Sequence, residues 1–86
     1  MLRIQDSNGR RTMLAQIKPG GSAKLGALED VNPLLRRRLR DLGVEEGSLL
    51  KVLRLGPMGG PLTFECSGQL IGIRREEAGR MEVLPV

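Results

Sequence analysis

The chain has no tryptophan, no tyrosine and no histidine, and only one phenylalanine (Phe64) and one cysteine (Cys66) in 86 residues. Each shortage excludes something. Without aromatic side chains the core has to be assembled from Leu, Val, Ile and Met, and single-stranded nucleic acid has no ring on which to stack its bases. Without histidine there is no imidazole to act as a base at neutral pH or to ligate a first-row metal. Cys66 lacks a histidine partner that would activate it as a nucleophile, and a lone cysteine makes neither an internal disulfide nor a multi-cysteine metal cage. No apolar run approaches the roughly 20 residues that span a bilayer, and the first residues contain no apolar signal segment. The expectation is a cytoplasmic protein with no catalytic residue, no cofactor, no resident metal and no direct membrane insertion.

The adjacent acids Glu29-Asp30, Glu45-Glu46 and Glu76-Glu77 do not change that reading. Neighbouring side chains on a helix diverge by about 100°, so Glu76 and Glu77 make surface charge rather than a chelate.

What is present is aliphatic, glycine-rich and basic. Hydrophobic residues make up 40% of the chain, glycine occurs 12 times, proline five times, and the net charge is +4. That much Gly and Pro in a short chain favours short strands joined by tight turns. Residues 1–11, with the turn signal Ser7-Asn8-Gly9, read as an arm before a domain at 12–86. Thr12 is placed to cap a helical turn over Met13–Ile17, ended by Pro19-Gly20-Gly21. Ala23–Leu28 reads as a first strand with Ala23, Leu25 and Ala27 on one face.

Asn32 and Pro33 mark a helix start, Leu35, Leu39 and Leu42 share one helical face, and Gly43 supplies a left-handed stop. In Leu49–Leu55, period two points Leu50 and Val52 inward and Leu49, Leu53 and Leu55 outward, the latter a surface on which a homodimer could form. Gly56–Pro61 reads as a long hairpin loop. Leu62, Phe64 and Cys66 alternate with polar residues, Ser67-Gly68 turns the chain, Ile71 and Ile73 face the core, Arg75–Gly79 makes one helical turn, and Met81 and Val83 close the sheet. The sum is a mainly β fold: about five strands in a small closed barrel, one α-helix and a short N-terminal helical turn.

The expected core is Leu25, Leu50, Val52, Leu62, Phe64, Ile71, Ile73 and Val83, with Leu39 and Leu42 over it.

The order Arg38-Leu39-x-x-Leu42-Gly43, Glu46-Gly47, Gly56-Pro57-x-Gly59-Gly60-Pro61-Leu62 and Ile71-Gly72-Ile73-Arg74-Arg75-Glu76-Glu77-Ala78 resembles the ferrous iron transport protein A (FeoA) family, as does the opening Leu14-x-x-Ile17-x-x-Gly20. The match runs over residues 12–84. The resemblance implies an SH3-like barrel and an accessory or regulatory role in bacterial ferrous iron uptake. It implies protein–protein interaction with the large FeoB-type transporter, whose cytosolic part binds guanine nucleotide.

Two features are candidates for the contact. In Arg36-Arg37-Arg38-x-Arg40, the side chains of Arg36, Arg37 and Arg40 fan across the helix face opposite Leu35, Leu39 and Leu42, and arginine favours bidentate pairing with carboxylate. In the loop Pro57, Met58, Gly59, Gly60 and Pro61, Met58 stands at the tip as an adaptable apolar contact. A phosphate cradle is excluded there, because the loop has no lysine, precedes a strand and loses two N–H donors to proline. The rival readings are a small basic barrel that binds nucleic acid and a homodimeric adaptor; no nucleic acid is expected as a partner.

Overall fold

The computed structural model describes residues 11–86; the arm and its turn signal at residues 7–9 fall almost wholly outside that range. A 3-10 turn (Leu14–Gln16) leads to strand β1 (Ser22–Leu25), helix α1 (Pro33–Asp41), β2 (Leu49–Leu55), a second 3-10 turn (Pro57–Gly59), β3 (Leu62–Cys66), β4 (Gln69–Ile73), a one-turn helix α2 (Arg75–Ala78) and β5 (Val83–Pro85). The strands form one antiparallel sheet in the order β4-β3-β2-β1-β5. The sheet wraps a single apolar core, and no polar or charged side chain is buried within it among the described residues.

Helix α1 forms where its caps dictate. Asn32 Oδ1 accepts a hydrogen bond from the Leu34 N–H at 2.8 Å, satisfying one of the orphan donors of the first turn, and Pro33 follows at the first helical position. The helix ends as a Schellman motif: Gly43 takes φ +83°, its N–H donates to Arg40 at 2.9 Å, and the Val44 N–H reaches back to Leu39 at 2.8 Å. That geometry turns Val44 fully into the core, beside the equally buried Leu39. Leu35 and Leu42 pack against the core's edge without being fully covered.

The strands β3 and β4 show the plainest link between pattern and structure. Leu62, Phe64 and Cys66 are buried and alternate with half-buried Thr63 and Glu65, while Ile71 and Ile73 are buried across from Phe64 and Leu62. Every core position expected from the sequence is buried except Leu42. The core also takes Leu14, Ile17, Val31, Ala78 and Met81.

Three local expectations are corrected. Thr12 does not cap the N-terminal turn. The Met13 N–H is held by Gln16 Oε1 at 2.7 Å, the Leu14 N–H donates to the Met81 carbonyl at 2.8 Å, and Thr12 instead accepts from the Val83 N–H. So short a turn is fixed by its neighbour rather than by its own bonds. The first strand stops at Leu25 rather than Leu28, because the Gly26 N–H turns away to the Glu82 carbonyl at 2.7 Å; Ala27 is half-buried in the loop that follows.

Finally, Leu55 is not on the outer face of β2. The pairs Val52↔Phe64, Arg54↔Thr63 and Leu55↔Leu62 show an extra residue at Leu53. Directly paired residues share a sheet face, so this β-bulge brings Leu55 to the inner side with Leu62. Leu55 accordingly packs against the core, leaving Leu49 and Leu53 exposed. No helix among the described residues is long and apolar enough to cross a membrane.

Candidate functional site

The Gly56–Pro61 loop is pinned at its base and bare at its tip. The Gly56 N–H donates to the Pro61 carbonyl at 2.8 Å and the Gly60 N–H to the Pro57 carbonyl at 2.9 Å. From α2, Arg75 Nη2 donates to the Gly56 carbonyl at 3.0 Å and ties the loop to the body. Within this frame Met58 adopts φ 54° and ψ 44°, the left-handed region that non-glycine residues seldom occupy. Its side chain is completely exposed, so no internal packing offsets the strain. Strain of this kind persists where the surroundings enforce it, and it collects at binding and switch segments.

The arginines of α1 do not act as one group. Arg37 and Arg40 are exposed, and their side chains make no hydrogen bond or ion pair among the described residues. Arg36 differs from the solvated face expected of it. It is half-buried, and its Nη1 donates to the Leu28 carbonyl at 3.3 Å, fastening the segment between β1 and α1 onto the helix.

Arg38, which is not one of the three arginines expected on the outer helix face, lies beside a groove of about 500 Å³ between the N-terminal half of α1 and the end of β4. Leu34, Leu35, Pro61, Ile73 and Arg74 line the same groove, so it runs from the helix to the last residue of the loop. A second hollow continues past Pro61 and Arg74 to Gly59 and Gly60. The signal for Arg38 was present in the sequence: it is four residues after Leu34 and three after Leu35, which is the same helical face. Leu34 itself is 79% exposed, an apolar side chain outside the core stripe.

Cys66 is buried, its sulfur 4.0 Å from Ser67 Oγ. Among the described residues there is no cluster of three His, Cys, Asp or Glu side chains that would hold a metal ion. What the surface offers is a rigid loop with an apolar tip, a groove, and unpaired cations.

Comparison with known proteins gives this surface a context. The FeoA protein of Chlorobium tepidum is 39% identical and superposes with a TM-score of 0.81, over 87% of this chain and 70% of that one. FeoA of Stenotrophomonas maltophilia, solved in complex with zinc and described as a prokaryotic SH3 domain protein, is 28% identical with a TM-score of 0.70, over 84% and 88% of the two chains. A manganese-dependent transcriptional repressor shares the fold alone, at 19% identity and a TM-score of 0.77 over 38% of its length. The FeoA domain matches residues 12–85, nearly the whole of the described structure, and with its SH3-like sheet this chain belongs to the FeoA family, which is associated with ferrous iron transport.

Proposed function

We propose that this protein is a small cytoplasmic accessory or regulatory component of ferrous iron uptake, and that it docks on the cytosolic part of a FeoB-type transporter through the Pro57–Pro61 loop and the arginines of α1. The observation that carries the reading is Met58: an apolar side chain held fully exposed, in a strained conformation, on a loop braced at three hydrogen bonds. A loop whose backbone is already pinned loses little backbone entropy when a partner covers its apolar tip. Arg37 and Arg40 stand exposed and unpaired on the helix and would add long-range attraction to an acidic surface. Arg36 belongs to the set by position, with its side chain already committed to the Leu28 carbonyl.

The rival readings have less to stand on. The homodimer surface has shrunk, since Leu55 turns inward and leaves Leu49 and Leu53. A nucleic-acid reading still lacks any exposed ring for stacking.

The test is binding of the purified protein to the transporter's guanine-nucleotide-binding domain, with and without nucleotide, by calorimetry. Met58→Asp should weaken the complex at every salt concentration, because it removes apolar contact. Arg37→Glu with Arg40→Glu should weaken it mainly at low salt. Unchanged binding by both variants would move the docking surface elsewhere.

A further inference from the structure

Strand β4 ends the sheet, and its outer edge is open. Its register says which groups that edge presents. Ser67 and Gly68 both have positive φ, 53° and 83°, the signature of a two-residue turn that closes β3 and β4 with Cys66 and Gln69 as a hydrogen-bonded pair. In an antiparallel ladder hydrogen-bonded pairs alternate with non-hydrogen-bonded ones. Phe64↔Ile71 and Leu62↔Ile73 are then bonded, and the N–H and C=O of Leu70 and Gly72 point away from β3. They have no backbone partner among the described residues.

Gly72 has no internal reason to be glycine. Its φ is not positive, and a Cβ built there would meet nothing within 4 Å. Glycine inside a strand costs stability, and it marks places where another backbone comes close. Gly72 also lines the groove beside Leu34, Leu35 and Ile73.

The groove's charges define what could lie there. Arg38 and Arg74 line it, and their guanidinium groups make no hydrogen bond or ion pair among the described residues. Glu77 also lines it, and its Oε1 is buried with no hydrogen-bond partner, an acceptor that lacks a donor. Two free cations match carboxylates, and the outward N–H and C=O groups of Leu70 and Gly72 match an extended backbone. An extended acidic peptide supplies both.

We propose that the groove between α1 and β4 binds an extended, acidic peptide segment of a partner protein, which adds as a strand against β4 at Leu70 and Gly72. Its apolar side chains rest on Leu34 and Ile73 and its carboxylates meet Arg38 and Arg74. This deepens the docking reading above and rests on it only in that the chain works by binding protein.

The probe is a blocked hexapeptide alternating valine and glutamate, with two controls: the same peptide with lysine for glutamate, and one with proline at its central positions to remove N–H donors. Binding is followed by amide chemical shifts on the full chain. The acidic peptide should shift the amides of Leu70, Gly72 and Arg74, and both controls should fail. Arg38→Glu with Arg74→Glu should weaken it about tenfold at low salt. Gly72→Val, which the open space and strand propensity allow to fold, should lose it. Equal binding of the lysine or proline peptide, or shifts confined to other strands, would overturn the proposal. So would an unaffected Gly72→Val, with its fold checked by the same spectra. If the transporter domain binds the parent and Gly72→Val alike, this inference fails and the docking reading stands. If the peptide binds and the transporter domain does not, the reverse holds.

Discussion

The two hairpins that share β3 are built to different standards. Between β3 and β4 the ladder is unbroken, five consecutive pairs joined by a two-residue turn. Between β2 and β3 it is interrupted by a bulge and joined by the loop 56–61 with its strained methionine. The regular hairpin gives the core its largest side chain, Phe64, and two of its isoleucines, Ile71 and Ile73. The irregular one gives the surface its exposed tip. Regularity builds packing here, and departures from it re-aim side chains outward or inward where uniform pleating would not put them.

The sharpest way to break the comparison is to damage the regular side. Phe64→Ala leaves a cavity in a fully buried site and should cost about 3–5 kcal/mol, a large part of the stability of so small a domain. Met58→Ala, with nothing around it to lose, should stay within about 0.5 kcal/mol of the parent. Denaturant titration of the two variants compares them directly. Equal midpoints would mean that the core does not depend on β3.

The bulge itself is tested next. Leu55→Asp places a charge against the core and should cost about 2–4 kcal/mol, whereas Leu49→Asp on the exposed side of the same strand should cost less than about 0.5 kcal/mol. A strand with unbroken alternation would give both substitutions the same small effect, so matched unfolding curves would remove the bulge from the account.

How much of this was legible in the sequence follows the same division. Strict alternation in Leu62-Thr63-Phe64-Glu65-Cys66 and the cap pair Asn32-Pro33 are local signals, and each was read correctly because nothing distant overrides it. Leu55 was misplaced because a bulge is set by the partner strand, and a period-two count cannot see one extra residue. Thr12 was misread for a similar reason: the turn after it is held by Met81 and Val83, some 70 residues away. Leu14 and Val44 are core residues whose neighbours carry no regular pattern, so only the fold shows their burial. The loop was identified as a candidate from its composition. Its strain, its brace from Arg75 and the groove leading to Arg38 and Arg74 are properties of three dimensions.

A smaller effect separates the arginines. Arg36→Ala removes a half-buried bond to the Leu28 carbonyl and should cost about 1 kcal/mol, while Arg37→Ala and Arg40→Ala should be close to neutral. The segment before α1 should also loosen in Arg36→Ala alone, visible as faster amide exchange at Val31, whose N–H donates to Leu28 at 3.1 Å. Equal exchange in all three variants would return Arg36 to the solvated face.

At Met58 the sign of the expected change in stability matters more than its size. A left-handed conformation costs a residue with a Cβ about 1 kcal/mol or somewhat more, and glycine adopts it freely. Glycine also gives the unfolded chain more freedom, which works the other way. Met58→Gly should therefore leave the domain as stable as the parent or more stable by up to about 1 kcal/mol, since the side chain it removes touches nothing. The same substitution should weaken binding to the transporter domain, because it deletes the only apolar group at the loop tip. Stability held or raised while binding falls is the behaviour of a residue kept for contact at the expense of its own fold. If Met58→Gly were instead clearly destabilising, the side chain would have a structural role, and the strain would have to be explained by packing within the chain. Thermal unfolding and calorimetric titration on the same sample decide between the two.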